Sequence, residues 1–225
     1  MPTVLLVRHA QASFGSEDYD VLSPTGIEQA RVLAAALAGR ELNVTRVVSG
    51  PARRQIDTAA ACAAAGVPEP VIDERWDEYP TEEVLAAHAT VAASLDGTGA
   101  GGEQITSRQF QQVLDGALAA WVAAGDGGGA GQAWPRFLAS RRAALADLVG
   151  ALGSGETGLA FTSGGTIAAL AADLLGHADL LPSLNRVLVN TGITKLAIGR
   201  AGISLIGFND HAHLDAGGGR LLTYR

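Results

Sequence analysis

Positive charge is scarce in this sequence of 225 residues, in which 16 Lys and Arg face 23 Asp and Glu, for a net charge of -7 and a pI near 5.1. A cationic surface is what draws proteins to nucleic acid and to anionic membranes. The composition therefore argues against nucleic acid and against a membrane surface as partners. Any anionic ligand must be held by a few local cations.

Cysteine is nearly absent, because Cys62 is the single one. It cannot form an intramolecular disulfide, which fits a reducing compartment, and its Ala-rich surroundings predict a buried, inert thiol. No apolar run approaches the roughly 20 residues of a membrane helix. The first apolar run, Thr3 to Val7, has the pattern of a buried strand and not of a secretory signal. We expect a soluble, cytoplasmic protein.

Aromatic residues make up 5% of the sequence, whereas 48% of the residues are hydrophobic. The core must therefore consist mainly of Val, Leu, Ile and Ala, which suits helices packed on a sheet. Short apolar runs alternate with helical patterns, an order typical of a mostly parallel sheet covered on both faces. The predicted strands are residues 3–7, 44–48, 70–73, 159–162, 194–198 and 204–208, and we expect the last two to supply an antiparallel edge. The predicted helices are about 24–38, 52–65 and 165–175.

One segment, about residues 80–152, interrupts this alternation. It contains three helical pieces separated by glycine-rich stretches at residues 97–102 and 125–131. We interpret it as a helical cap insertion that lies over the site. The chain is then predicted to be a single domain over residues 1–225, of the α/β class, a three-layer α/β/α sandwich with a mostly parallel central sheet.

An Arg-His pair, Arg8 and His9, follows the first predicted strand directly. Ligands of parallel α/β sheets bind beyond the carboxyl ends of the strands, so the pair lies where a ligand site is expected. Arg53 and Arg54 begin the helix after the second strand, where free N–H groups and a guanidinium can together hold an anion. Without the first motif, two solvated arginines would be the better interpretation of this second one.

These segments resemble the histidine phosphatase (phosphoglycerate mutase-like) superfamily. Arg8-His9-Ala10 matches two of the three residues of the family's Arg-His-Gly tripeptide. The segment from Val47 to Ala59 resembles the family's strand, loop and helix with the pattern Arg-x-x-x-Thr-Ala. The resemblance implies that His9 is the nucleophile and that Arg8 and Arg54 bind the phosphoryl group.

The resemblance also implies a proton donor, Glu78, in the segment from Trp76 to Tyr79 that follows the third strand. Other carboxylates crowd this region, and an acidic cluster at a helix start is also favoured by the helix dipole alone. The other acidic side chains here are Glu74, Asp77, Glu82 and Glu83.

A departure from the family occurs at Ser163, where relatives carry a second histidine before Gly-Gly. Ser163 and the Gly164 amide can still donate hydrogen bonds to a phosphate at the start of a helix. Because a serine is shorter than an imidazole, the site is expected to have a gap beside it. Water or an anion is the expected occupant, with His211 or His213 as the alternative.

Four residues are predicted to be accessory to the site. Gln11 and Ser13 follow the Arg-His pair, and His211 and His213 lie in a late segment that is similar to one in relatives. The spacing of these two histidines also fits a metal site, but no cysteine or acidic pattern accompanies them, so no metal is expected. No nucleotide-binding fingerprint is present, and no organic cofactor is implied.

The resemblance implies a phosphatase that hydrolyses phosphate monoesters of small molecules through a phosphohistidine. Two alternatives remain open at this point. A phosphomutase of the same family would return the phosphoryl group to a hydroxyl, for which the intermediate must be shielded from water. A phosphate-ligand binding or regulatory protein with little turnover is favoured by the serine at position 163. A homodimer is compatible with the sequence, which does not determine the oligomeric state.

Overall fold

The apolar runs of the sequence form six strands of one central sheet in the computed structural model, which describes residues 1–13, 20–87, 106–127 and 132–224. The strand order is β3-β2-β4-β1-β5-β6. The strands β1 to β4 run parallel, while β5 is antiparallel to both β1 and β6. This confirms a mostly parallel sheet with a late antiparallel pair. The strands are β1 (Thr3–Arg8), β2 (Val44–Ser49), β3 (Val71–Ile72), β4 (Thr157–Thr162), β5 (Ile193–Gly199) and β6 (Gly202–Asp210).

The helices follow the predicted alternation with small shifts at their ends. Helix α1 begins with Pro24 after Ser23, whose hydroxyl accepts a hydrogen bond from the Gly26 amide at 3.0 Å, as expected for an N-cap. The helices of the described residues are α1 (Pro24–Ala38), α2 (Arg53–Ala63), α3 (Thr81–Ala87), α4 (Ser107–Ala124), α5 (Trp134–Gly150), α6 (Gly164–Leu174) and α7 (Leu181–Val187).

The sheet is buried on both faces, so alternate residues of β1 enter two different core clusters. Val4 and Leu6 belong to the larger cluster with residues of α4, α5 and α6, while Leu5 and Val7 join α1 and α2. Cys62 is fully buried in the second cluster, which confirms its predicted burial, and burial raises the pKa of its thiol to about 12. No helix in the described part of the chain is long and apolar enough to cross a membrane.

Helices α3, α4 and α5 occupy the segment that the sequence assigns to a cap. Ring contacts connect α4 and α5 to Tyr79, which precedes α3: its ring centroid lies 5.8 Å from Trp121 and 6.4 Å from Phe137. The glycine-rich stretch at residues 97–102 and His88 lie outside the described residues. The loop that carries Glu78 is thus packed directly against helices of this segment.

Candidate active site

The end of β1 holds His9 by its backbone. Its amide donates to the Thr162 carbonyl on β4 at 2.9 Å, and its own carbonyl accepts from the Asn190 side chain at 3.1 Å. The ring Nδ1 lies 2.8 Å from the Ala10 carbonyl, which can only accept, so Nδ1 carries the proton. The Nε2 lone pair is therefore the nucleophilic end of the ring. The backbone of Ala10 lies outside the left-handed region, so a methyl group is accommodated at this position.

The His9 side chain is more buried than the sequence suggests. We expect a partly exposed residue, but His9 is only 6% exposed, because β4 and the start of α2 close around it. Burial first, and then the charges of Arg54 and Arg8, hold its pKa well below the usual value of 6.5. The ring is thus neutral at physiological pH, as a nucleophile must be.

Arg54 lies against the nucleophilic nitrogen. Its Nε donates to His9 Nε2 at 3.1 Å, and its Nη1 contacts Asp20 Oδ1 at 2.5 Å. Arg53 instead points outward, with its side chain 60% exposed and its Nε 3.6 Å from Asp57. Thr58 connects the helix to the histidine loop, since its hydroxyl donates to the Arg54 carbonyl and accepts from the Ala10 amide. Arg54, the arginine that the sequence pattern selects, is therefore the one that lies next to His9.

Arg8 contacts a different part of the chain, the segments around Leu188 and Gly164. Its Nη1 donates to the Leu188 carbonyl. A Cβ atom at Gly164 would lie 3.4 Å from Arg8 Nε, which shows how closely the guanidinium approaches the start of α6. The positions of Arg8, Arg54 and the α6 N-terminus converge around one cavity, which lies next to His9.

Glu78 projects from the loop after β3 towards the start of α6. Its Oε2 accepts from the Gly165 amide at 3.4 Å, and its Oε1 accepts from the Tyr79 amide at 3.2 Å. Position 165 needs glycine, because a Cβ there would lie 2.2 Å from the Tyr79 ring and 2.3 Å from Glu78 Oε1. Burial raises the pKa of the Glu78 carboxyl above 4.5, against the opposing effect of Arg54.

The backbone beside Glu78 is fixed by two hydrogen bonds to the Asp77 carbonyl. Arg141 Nη2 donates at 2.8 Å from α5, and the Thr166 hydroxyl donates at 2.6 Å from α6. Arg141 is itself buried, with its guanidinium carbon 3.9 Å from the centre of the Phe137 ring. These contacts hold the carboxyl group in place relative to β4 and α6.

Ser163 precedes α6 at the end of β4, but the expected gap beside it is filled. The Gln55 side chain reaches from α2, and its Nε2 donates to Ser163 Oγ at 2.7 Å. Both side chains are fully buried. The expectation of water, an anion or a late histidine beside Ser163 is therefore wrong, because this amide occupies that place.

The accessory candidates lie around the site and hold its loops. His211 Nδ1 bonds the Asn209 carbonyl at 2.7 Å, whereas His213 Nε2 lies 3.0 Å from the Thr191 hydroxyl. Thr191 in turn donates its amide to the Arg8 carbonyl at 3.1 Å, so His213 supports the strand end from behind. Among the described residues, no group of three or more His, Cys, Asp or Glu could hold a metal ion.

Gln11 and Ser13 connect the histidine loop to helix α1. The Gln11 side chain accepts from the Ser23 hydroxyl at 2.8 Å, and the Ser13 amide donates to the Val21 carbonyl at 2.8 Å. Gly26 is required for this approach, because a Cβ there would lie 2.1 Å from the Gln11 carbonyl oxygen. Both residues therefore shape the loop after His9.

A cavity of about 450 Å³ opens at His9. Arg8, Arg54, Glu78 and Gly164 line its inner end, while helices α3 and α4 contribute apolar side chains to its wall. A wider cleft of about 1050 Å³ shares Arg54 and Glu78 with it. The smaller cavity is the candidate substrate site, because it is the one that the nucleophile lines.

The sequence that carries these residues matches a known protein family. The family model of the histidine phosphatase superfamily (branch 1) matches residues 4–211. The chain belongs to the histidine phosphatase superfamily.

Solved structures have the fold of this superfamily member at low sequence identity. A phosphoserine phosphatase mutant from Entamoeba histolytica, in complex with phosphoserine, is 23% identical, with a TM-score of 0.64 over 95% of this chain and 100% of that chain. A mycobacterial glucosyl-3-phosphoglycerate phosphatase in complex with VO3 is 23% identical, with a TM-score of 0.63 over 93% and 99%. YhfR of Bacillus stearothermophilus is 20% identical, with a TM-score of 0.67 over 95% and 100%. No curated protein matches the sequence significantly.

Sequence reasoning missed two side chains of the site in this superfamily member. Gln55 follows Arg54 directly in the matched helix segment, but no sequence pattern indicates that it points to Ser163. Asn185 of α7 lines the cavity beside Gly164, and its Oδ1 lies 3.1 Å from where a Cβ of residue 164 would be. Both contacts join segments that are far apart in sequence, so a search for local motifs does not find them.

Proposed function

We propose that this protein is a phosphatase that hydrolyses phosphate monoesters of small molecules through a phosphohistidine at His9. The observation that carries the proposal is the state of the imidazole: neutral, protonated at Nδ1, and with Nε2 beside Arg54 at 3.1 Å. The relatives named above include phosphatases that act on phosphorylated small molecules, which supports the same class of reaction.

In the first step, His9 Nε2 attacks phosphorus in line with the ester oxygen. Arg54 must first transfer its Nε hydrogen bond from the imidazole to a phosphoryl oxygen, which frees the lone pair. Arg8 and Arg54 then stabilise the charge on the phosphoryl oxygens. The P–O bond to the alcohol breaks, and the Glu78 carboxylic acid protonates the departing oxygen.

In the second step, a water molecule attacks the phosphorus of the phosphohistidine. The Glu78 carboxylate accepts a proton from that water, the P–N bond breaks, and inorganic phosphate leaves with His9 neutral again. The raised pKa of Glu78 suits both duties, because the group can alternate between acid and base near its pKa. The residues thus supply a complete cycle without a cofactor being needed for any step.

The test is a panel of phosphate esters assayed with the wild-type protein and the His9→Ala variant. We expect phosphate release by the wild type, an acid-labile phosphoenzyme during turnover, and a loss of at least about a thousandfold in kcat in the variant. His177→Ala provides the matched control, because His177 is an exposed histidine on another part of the surface.

Two outcomes would contradict the proposal. If the wild type binds inorganic phosphate but hydrolyses no ester of the panel, the protein is a phosphate-ligand binding protein. If the phosphoenzyme forms but returns its phosphoryl group to an added alcohol faster than to water, the protein is a phosphomutase.

A further inference from the structure

Gln55 and Ser163 form a buried hydrogen-bonded pair between the starts of two helices that border the candidate site. Gln55 lies one residue after Arg54 in the first turn of α2, and Ser163 directly precedes Gly164, which lines the cavity with His9. Both side chains have 0% exposure, and their polar atoms are 2.7 Å apart. The pair therefore joins the helix start that carries Arg54 to the helix start that carries the Gly164 and Gly165 amides.

The direction of this hydrogen bond follows from the other end of the amide. Gln55 Oε1 accepts from the Ala52 backbone amide at 3.2 Å, so Nε2 is the atom that faces Ser163. An amide nitrogen can only donate, and Ser163 Oγ must therefore accept. The hydroxyl hydrogen of Ser163 is left for a different acceptor.

Gly50 and the Gln55 amide are packed closely together, because a Cβ atom at Gly50 would lie 2.1 Å from Gln55 Oε1 and 2.9 Å from Gln55 Cδ. Because Gln55 Nε2 lies 2.7 Å from Ser163 Oγ, we expect an imidazole at position 163 to compete with the Gln55 amide for the same space.

We propose that Gln55 and Ser163 act as one unit, in which their buried hydrogen bond fixes the start of α2, with Arg54, against the start of α6, with the Gly164 amide. Both are positioning residues, which set the spacing of the groups that are proposed to bind the phosphoryl group. The proposal rests on the proposed function only in that the bound anion is a phosphoryl group. It predicts that a substitution at either position alone lowers kcat/KM or phosphate affinity, and that the effect depends on the residue at the other position.

The first experiment exchanges the whole unit. Ser163→His alone should lower kcat/KM for an aryl phosphate at least about tenfold, because the ring collides with the Gln55 amide. Gln55→Ala combined with Ser163→His should recover kcat/KM to within about threefold of the wild type, because the smaller alanine makes room for the ring. A rise in turnover in Ser163→His alone, or no recovery in the double variant, would overturn the proposal. Thermal unfolding is measured in parallel, and failure of the single variant to fold with rescue by the second substitution supports the same steric coupling.

The second experiment uses substitutions that leave the side-chain volume at each position nearly unchanged. Gln55→Met removes the donor and Ser163→Ala removes the hydroxyl, and each should weaken the binding of inorganic phosphate by about tenfold. The double variant should be no weaker than either single one, because the two residues supply one interaction. Additive losses would show that the residues act independently.

Gln29→Met serves as the control for loss of a buried amide. Gln29 is also fully buried, and its amide donates to the Leu221 carbonyl and to Thr223 on the other side of the histidine loop. Its effect on phosphate affinity should add to that of Ser163→Ala, even though the unfolding temperature falls. Because phosphate affinity is measured without turnover, the coupling is tested even if no ester is hydrolysed and the proposed function fails.

Discussion

Two ionisable side chains at the site have pKa values displaced towards each other. Burial lowers the pKa of the His9 imidazolium from 6.5 and raises the pKa of the Glu78 carboxyl from 4.5, because it disfavours the charged form of each. Burial therefore favours the neutral form of both groups, which line the same cavity. A neutral imidazole and a protonated carboxyl are the forms that the proposed nucleophile and proton donor require.

Glu78→Gln should remove the proton donor while keeping the shape of the side chain. We expect kcat/KM to fall by about a hundredfold for alkyl phosphates, whose leaving groups need a proton, and much less for nitrophenyl phosphate. In the wild type, the rate for alkyl phosphates should decline as pH rises through the raised pKa of Glu78, and the variant should lack this decline. The measurement is a series of esters of graded leaving-group pKa, assayed between about pH 4 and 8.

Glu74→Gln provides the matched control. Glu74 lies in the same segment after β3, but it lines the wider cleft and not the cavity that His9 lines. This variant should leave the dependence on the leaving group unchanged. An equal loss for every leaving group in Glu78→Gln would remove Glu78 from the acid role.

At the level of helices, α3 and α4 contribute a wall of the candidate substrate cavity, which we expect to face the alcohol part of a phosphate ester. Leu85, Phe110 and Leu114 line it with apolar atoms. The Arg186 guanidinium also lines the cavity, but its Nε lies 2.9 Å from Asp115 and is thus already paired with a carboxylate. If the protein hydrolyses phosphate esters as proposed, we expect it to prefer esters with an apolar alcohol part over esters that carry a second anionic group.

Leu85→Arg should reverse that preference. A guanidinium on the cavity wall attracts a second negative charge, so the ratio of kcat/KM for phenyl phosphate to that for 3-phosphoglycerate should fall by about tenfold or more. Val71→Arg is the control, because it adds the same charge at an exposed residue of β3. Equal changes in both variants would show that only the overall charge matters, and no change in Leu85→Arg would show that the wall does not contact the alcohol.

Over the whole molecule, the dependence of stability on pH should reflect His213, which is half-buried. His213 Nε2 bonds Thr191, and its Nδ1 is buried with no hydrogen-bond partner among the described residues. Burial is the main cause that lowers its pKa to about 4. The folded chain therefore holds His213 neutral at pH values where the unfolded chain protonates it.

The sign follows from proton binding. Between about pH 6.5 and 4 the unfolded state binds the additional proton, so the contribution of His213 is fully present above 6.5 and is lost as pH falls. His213→Gln should remove this dependence. The difference in free energy of unfolding between wild type and variant should shrink as pH falls, by at most about 1.4 kcal/mol per pH unit, reduced by the partial exposure of the ring. Urea unfolding at several pH values measures it, and a difference that is constant with pH would contradict the assignment.

The sequence by itself determined the elements and where the chemistry lies along the chain. Apolar runs and helical patterns are local, and the six strands and helices α1, α2 and α6 form within a few residues of their predicted bounds, whereas helix α7 was not predicted. Arg8 and His9 at the end of β1, Arg54 at the start of α2 and Glu78 after β3 were predicted from motifs next to these elements. Parallel strands bring such positions to one edge of the sheet, so their convergence follows from the alternation of strands and helices.

Only the tertiary structure decided which side chains meet. The strand order places β4 between β2 and β1, which brings Ser163 next to α2, and the Gln55 amide then fills the space that the sequence suggested was open. Tertiary packing also decides the surroundings of two histidines. His9 is buried next to β4, and His213 bonds Thr191 beside the end of β1. Such contacts join residues as far as 108 positions apart, as Gln55 and Ser163 are, and depend on packing rather than on any local pattern of the chain.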